Sequence, residues 1–302
     1  MTPSFSKEIE IRENEPLHNH SSFRIGGPAR FALFPKTQDE LTNALRAVRE
    51  QKLRHIVVGN GSNLLFDDRG FDGVVIFTKK ITDVEYIHHK DETLVRVGAG
   101  ASLIALSVDA GKKHALTGLE FAYGIPGTVG GAVYMNAGAY GGQMSDIVLE
   151  TEYYDTERNE VRTLCGEEHC FDYRHSFFAD HPECIILSTL IKLKNGDPEE
   201  ILSVMARNKT SREEKQPLEH HSAGSTFKRP GGGLFAGKLI EDAGLKGYSV
   251  GDAQISTKHA GFTVNVGHAT CADVLAVIEH TEKTVLERFG VALAREIIYI
   301  PY

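Results

Sequence analysis

Apolar positions along this chain recur with two periods, one helical and one alternating. Residues 37–40 have the Thr-x-x-Glu form of a capping box, and Leu41, Ala44, Leu45 and Val48 follow at helical spacing, which predicts a helix to about Gln51. Residues 55–58 then read as a strand. Short runs rich in β-branched residues predict further strands at 74–77, 84–87 and 94–97, ahead of a helix over about 102–112. Strands at about 147–155 and 185–194 follow, and Asp197-Pro198 reads as an N-cap with proline at the first helical position. The helix it starts carries Ile201, Leu202, Met205 and Ala206 and marks the best domain boundary. Beyond it, residues 234–243 read as a helix ended by Gly244 and 262–266 as a strand. Residues 273–289 read as an amphipathic helix stopped by Gly290, and 297–300 as a closing strand. The pattern is α+β. No internal repeat or low-complexity linker interrupts it.

One segment fits neither period. Residues 118–142 hold Gly118, Gly124, Gly127, Gly130, Gly131, Gly138, Gly141 and Gly142, too many for a helix or a long regular strand, so a binding loop or an irregular scaffold is expected. A second glycine cluster, Gly59-Asn60-Gly61-Ser62-Asn63, directly follows the apolar run 56–58, where backbone N–H groups can converge on a diphosphate. Leu64 stands where a GxGxxG motif needs its third glycine, and the following LLFDDRGF does not read as a helix, which disfavours a Rossmann site. Gly98-Ala99-Gly100 fails in the same way. No GxxxxGK[ST] occurs, so the lysine and hydroxyl of a P-loop are missing. An isolated glycine cluster is ordinarily a tight turn. Two of them, one after a strand and one very long, suit a backbone that approaches a large planar ligand or an extended dinucleotide without side chains between.

Size and charge narrow the class. A chain of 302 residues exceeds what one hydrophobic core usually supports, so two or three packed units are expected. With 41% hydrophobic and 25% charged residues, it should fold throughout. Its formal net charge of -8 argues against wholesale binding of nucleic acid or anionic membrane, so any phosphate site must be local. The acidic start MTPSFSKEIEIRENEPL lacks the basic and apolar regions of a secretory signal and no stretch approaches a membrane span, which leaves a cytoplasmic location as the expectation. Cys165, Cys170, Cys184 and Cys271 form no CxxC pair and lack histidines at zinc-finger spacing; four reduced, mostly buried thiols are expected. His88-His89 and His220-His221 come with no HExxH-like helix, so no metal site is expected.

In chain order, SFRIGGPA (22–29), GNGSNLL (59–65), GLEF (118–121), GIPGTVGGAVYMNAGAYG (124–141), YRHSFF (173–178), SAGSTFKRP (222–230) and LIEDAGLKGYSVGDAQISTKHAGFTVN (239–265) resemble the UDP-N-acetylenolpyruvoylglucosamine reductase family over nearly the whole chain. Lacking an extra insertion between YRHSFF and residue 197, the sequence resembles the shorter, type II form. The resemblance implies an N-terminal segment over 1–22 and an FAD-binding domain of the vanillyl-alcohol oxidase (PCMH) type over 23–194. That domain would have subdomains of about 23–78 and 79–194, with FAD between them. A C-terminal α+β substrate-binding domain over 197–302 would follow, its last strand packing back on the first subdomain. One departure is visible: where the family commonly has LExE, this chain has Leu293-Ala294-Arg295-Glu296, keeping only the second carboxylate.

The resemblance further implies non-covalent FAD, NADPH as reductant and a small-molecule UDP-sugar substrate, with no obligate protein partner indicated. Hydride would pass from flavin N5 to the terminal carbon of an enol ether conjugated to a carboxylate, and a proton would then reach the adjacent carbon. By resemblance Ser225 is the proton donor, although a serine beside glycine is by default an ST-turn or cap. Arg174 would bind the substrate carboxylate, with a salt bridge at a strand end as the plain alternative. Glu296 would lie beside that carboxylate, where a like charge favours its protonated form; otherwise it is a solvated residue at the start of a terminal strand. Gly59, Asn60, Gly61, Ser62, Asn63, Gly118, Gly124, Ile125, Pro126, Gly127, Gly130, Gly131, Asn136 and Gly138 would line the cofactor. Arg229, Lys258 and His259 would face the UDP diphosphate, and Tyr173 would pack near the isoalloxazine or in plain core. Two rival readings stay open here: an FAD-dependent sugar or alcohol oxidase on the same scaffold, and a non-catalytic nucleotide-binding module.

Overall fold

A computed structural model describes residues 5–6 and 8–302. The chain forms two compact units, the first made of the described residues up to Arg12, with Phe31–Asn60 and Gly73–Arg212, and the second of Glu13–Arg30, Gly61–Asp72 and Glu213–Tyr302.

In the first unit the capping signals set the helix ends. Thr37 Oγ1 accepts from Glu40 N at 3.1 Å and starts the helix Gln38–Glu50; Glu40 reaches back to Lys36 N rather than to Thr37 N, so the box closes one residue early. Leu41, Ala44, Leu45 and Val48 are fully buried against Phe31, Leu33, Val74 and Ile76. Each large aliphatic chain so buried contributes about 1.5–3 kcal/mol relative to exposure. These partners lie in a sheet ordered Glu10–Pro16, Pro28–Phe34, Phe71–Phe77, His55–Val58, whose last pair is parallel.

A larger antiparallel sheet runs Glu160–Cys165, Val148–Asp155, Cys184–Asn195, Glu92–Gly98, Val84–His88. Ser102 caps the helix Leu103–His114, which packs Leu103 and Leu106 into one core with Val95, Val97, Ile191 and Leu193. Against expectation, the glycine-rich segment contains a short helix, Val129–Tyr134. Tertiary bonds hold it: Val129 N donates to Ala101 O and Gly130 N to Ala99 O, both at 2.9 Å. These anchor its first turn on the end of a strand, outweighing a propensity cost of about 1 kcal/mol per glycine. The motif Gly98-Ala99-Gly100 is thus a docking shelf for that helix.

In the second unit, the helix Cys271–Phe289 has a full capping box between Thr270 and Asp273 and ends on Gly290 at φ 67°. It buries Val274, Val277, Ile278 and Val285 in a core that also takes Phe23, Ile25 and Leu65. Short antiparallel strands pack beside it in the order His221–Ser222, Thr263–Asn265, Ala253–Ile255, Ser249–Val250. The closing strand Ile298–Ile300 pairs in parallel with Leu64–Phe66. The compact units therefore differ from a linear division at residue 197. Residues 13–30 and 61–72 share the C-terminal core, while the helix Pro198–Lys215 counts with the first unit through Arg212. The cysteines differ too: all four are free, but only Cys184 and Cys271 are buried, while Cys165 and Cys170 are exposed.

Asp67 gives the second unit an acid-side stability dependence. Its carboxylate accepts from Arg69 Nε and N, both at 2.9 Å, and from the Tyr299 hydroxyl at 2.6 Å. The Arg69 guanidinium chiefly, with the Tyr299 hydroxyl, holds this carboxyl well below the usual range. A depressed folded-state pKa contributes stability above the unfolded value of about 3.9, which is lost as pH falls toward the folded value. Urea denaturation of Asp67→Asn should therefore show a stability deficit at neutral pH that shrinks below about pH 3; a constant deficit would mean a non-electrostatic role.

Candidate active site

The two glycine clusters meet. Asn60 Nδ2 donates to Pro126 O at 2.7 Å, and Gly59 packs so closely on Thr128 that a Cβ there would stand well inside contact distance of Oγ1 and 3.2 Å from Cγ2. Thr128 Oγ1 in turn caps the short helix by accepting from Gly131 N at 3.3 Å. Gly130 lies equally close to the strand end, its Cβ position 2.9 Å from Ala99 Cβ. Gly59 and Gly130 thus serve close packing within the protein.

The amides of that loop are largely used within the protein. Ile125 N donates to Ala122 O, Gly127 N to Ile125 O, and Gly118 N to Glu120 Oε2. By contrast, among the described residues the N–H groups of Asn60, Gly61 and Ser62 find no protein acceptor, and Gly61 has φ 63°. Three successive unsatisfied amides in such a turn form an anion-receptive concavity, which suits the diphosphate of a flavin dinucleotide. Asn63 has a framework role as well: its Nδ2 donates to Glu296 O at 3.0 Å and its carbonyl accepts from Ile298 N at 2.9 Å.

Arg174 sits at the tip of a tight turn between Asp172 and His175, with φ 54°. The buried Asn136 donates from Nδ2 to Asp172 O at 3.0 Å and accepts from Ser145 N at 2.9 Å, clamping the turn. Arg174 Nη2 reaches Gly138 O at 3.2 Å, and its guanidinium lies 5.1 Å from the Tyr173 ring. Asn136, Gly138, Tyr173 and Arg174 are therefore one cluster. Tyr173 is 40% exposed, which excludes plain core packing.

Ser225 and Glu296 belong to the second unit and are joined through Thr226. That residue is 2% exposed; its N donates to Gly261 O at 2.8 Å, its Oγ1 bonds Thr263, and its carbonyl accepts from Glu296 N at 2.9 Å. Lys228 N to Ala294 O, at 2.8 Å, closes the other end of the loop. The Ser225 hydroxyl has no partner among the described residues; the local ST-type bond is made by Ser222, whose Oγ accepts from Gly224 N. The hydroxyl is half-buried on a tightly held backbone and is not used for capping. At the departure from LExE, Ala294 contributes its carbonyl to Lys228, and Arg295 pairs with Glu282 through two bonds of 2.7 Å.

The phosphate candidates differ in readiness. Arg229 is exposed, with its guanidinium 5.2 Å from the Phe235 ring. Lys258 Nζ donates to Glu213 O at 2.7 Å and lies 3.9 Å from Glu219, so binding a diphosphate requires exchanging partners. Burial holds the His259 imidazole below its ordinary pKa, and its Nδ1 accepts from Gly261 N at 3.0 Å, so a neutral ring keeps Nε2–H to donate. Sequence reasoning missed Thr128, whose signal was the Thr-x-x-Gly step into an apolar run.

Comparison with known proteins places the fold first. Residues 29–164 match the FAD binding domain family. A cholesterol oxidase from Brevibacterium sterolicum, at 14% identity, shares the fold over 65% of this chain and 39% of its own, with a TM-score of 0.50. The chain thus has the α+β architecture of an FAD-binding flavoprotein of the PCMH type, joined to a second α+β domain. Residues 216–300 match the C-terminal domain of UDP-N-acetylenolpyruvoylglucosamine reductase. Enzymes of that name are similar along their length: 47% identity from Caldanaerobacter subterraneus, covering 96% of this chain and 94% of that protein, and 45% from Limosilactobacillus reuteri, covering 96% and 95%. The crystal structure of UDP-N-acetylenolpyruvylglucosamine reductase from Thermus caldophilus matches with a TM-score of 0.80 at 35% identity, over 97% of this chain and 99% of that one. The chain belongs to the UDP-N-acetylenolpyruvoylglucosamine reductase family.

Proposed function

We propose that this protein is an NADPH-dependent flavoenzyme that reduces UDP-N-acetyl-3-O-(1-carboxyvinyl)-glucosamine to UDP-N-acetylmuramic acid, a cytoplasmic step of peptidoglycan precursor synthesis. The observation that carries this reading is the unengaged Ser225 hydroxyl on an immobilised loop bonded to Glu296, in a chain 47% identical to a reductase of that name. Among the described residues no helix is long and apolar enough to cross a membrane.

Residues 23–194 hold FAD and residues 197–302 hold most of the substrate. Asn60, Gly61 and Ser62 offer amides to the diphosphate, while Gly59, Asn63, Gly118, 124–127, Gly130, Gly131, Asn136 and Gly138 shape the surface the cofactor lies on. When bound, FAD supplies the hydride equivalent that NADPH provides. Arg174 pairs with the substrate carboxylate through its planar fork and stabilises the charge that develops there. Glu296 faces the same carboxylate. Ser225 gives its proton to the carbon next to the carboxylate, a transfer that an enolate is basic enough to drive from a weak acid held in contact. Arg229, Lys258 and His259 receive the UDP diphosphate, and Tyr173 covers the ring side of the site.

Purified protein should be yellow with a flavin absorption spectrum and should oxidise NADPH only when the enolpyruvyl sugar nucleotide is present. Colourless protein that cannot be reconstituted with FAD, or oxygen consumption with a sugar or alcohol donor in place of that turnover, overturns the reading.

A further inference from the structure

The helix Pro198–Lys215 turns one stripe of side chains toward the glycine-rich segment. Ile201 and Met205 are each 3% exposed and crowd Gly111, whose Cβ position would stand 2.9 Å from Ile201 Cγ2 and 3.2 Å from Met205 Sδ. Next on the stripe, Asn208 Nδ2 donates to Glu120 O at 3.0 Å. Arg212 follows at helical spacing and lies along Gly124, where a Cβ would stand 3.0 Å from Cδ and 3.5 Å from Nε. The stripe thus passes from apolar, against Gly111, to amide and cation beside Glu120 and Gly124.

Arg212 is half-buried, yet among the described residues no carboxylate, carbonyl or hydroxyl accepts from its guanidinium. Burial pushes it below its ordinary pKa, and among the described residues only the Tyr140 hydroxyl acts the other way. Withdrawing a cation from water without an anionic partner is costly, and the partial charge of the helix C-terminus offsets only a small part of that cost. Arg212 is arranged for an anion the chain does not supply.

We propose that Arg212 pairs with a negative charge carried by the bound flavin nucleotide, either the pyrimidine edge of the ring, which gains charge on reduction, or the diphosphate. This rests on the reading of residues 118–142 as a flavin loop. Asn60, Gly61 and Ser62 already offer amides to a diphosphate, so the ring edge is the expected source. A guanidinium fork matches the paired nitrogen and carbonyl acceptors there.

The test compares full-length wild type, Arg212→Met and Arg212→Lys by FAD affinity, flavin reduction potential and thermal stability of the apoprotein. With the ring as source, Arg212→Met binds oxidised FAD within about threefold of wild type but loses at least about tenfold in preference for the reduced form, a drop of about 30 mV for a two-electron couple. Arg212→Lys falls between. With the diphosphate as source, FAD affinity drops at least about tenfold and the potential is unchanged. In either case apo Arg212→Met is as stable as wild type or more so, because an unpaired buried charge has been replaced by an apolar chain. Unchanged affinity and potential in a wild type that binds FAD overturn this inference alone, as does a destabilised apoprotein with FAD loss to match. A wild type unable to bind FAD takes down the proposed function with it.

Discussion

Ser225→Ala leaves reduction of bound FAD by NADPH near the wild-type rate and slows reoxidation by the enolpyruvyl substrate by about 10²–10⁴, the range a positioned proton donor contributes. The asymmetry follows from the structure of the loop. The Ser225 hydroxyl bonds nothing among the described residues, while Thr226 carries the bonds to Gly261, Thr263 and Glu296 that fix the backbone. Removing the hydroxyl therefore changes stability by no more than about 0.5 kcal/mol, as for a substitution away from packed features. Ser225→Cys, which retains a transferable proton, should recover part of the rate. Stopped-flow absorbance at the flavin band separates the half-reactions; equal rates for the alanine variant and wild type in the second would remove Ser225 from the mechanism.

Gly59→Ala is expected to yield largely colourless, destabilised protein. The added methyl meets Thr128 Oγ1, so either the two glycine clusters part, breaking the bond from Asn60 to Pro126, or Thr128 rotates and gives up its cap on Gly131. Overpacking costs about 1–3 kcal/mol and cap loss about 0.5–2 kcal/mol, and both fall on the loops assigned to the cofactor. Gly141→Ala is the control. No atom lies within 4 Å of its Cβ position, and only its φ of 86° opposes a side chain, so it should lose some stability yet retain FAD. Melting temperature and the flavin-to-protein absorbance ratio are read on the same samples; equal FAD loss in both variants would mean that generic strain, not contact between the clusters, controls binding.

Legibility in the sequence followed the range of the forces involved. The helix Gln38–Glu50 was predicted to within a residue or so at each end because Thr37 and the 41-44-45-48 stripe act locally. The strands Glu10–Pro16 and Glu160–Cys165 gave no signal: one reads EIRENEP and the other is exposed at five of six positions, and both owe their extended form to a neighbouring strand. The proposed roles of Ser225, Arg174 and Glu296 rest on motif resemblance, since nothing in a serine next to a threonine distinguishes a donor from a cap. Their supports, Asn136 under Arg174 and Thr226 between Ser225 and Glu296, use bonds to residues tens of positions away in the chain.

By itself the sequence determined the α+β class, the ends of its well-capped helices, and the two places where side chains are withheld from the backbone. Those are consequences of capping bonds, periodicity and the missing Cβ, which act within a turn or two of chain. Only the tertiary structure decided that the two glycine clusters close on each other, that residues 13–30 and 61–72 join the C-terminal core, and that Arg212 is left without an anion. Each depends on which distant surfaces exclude water together, and no local window of sequence contains both surfaces.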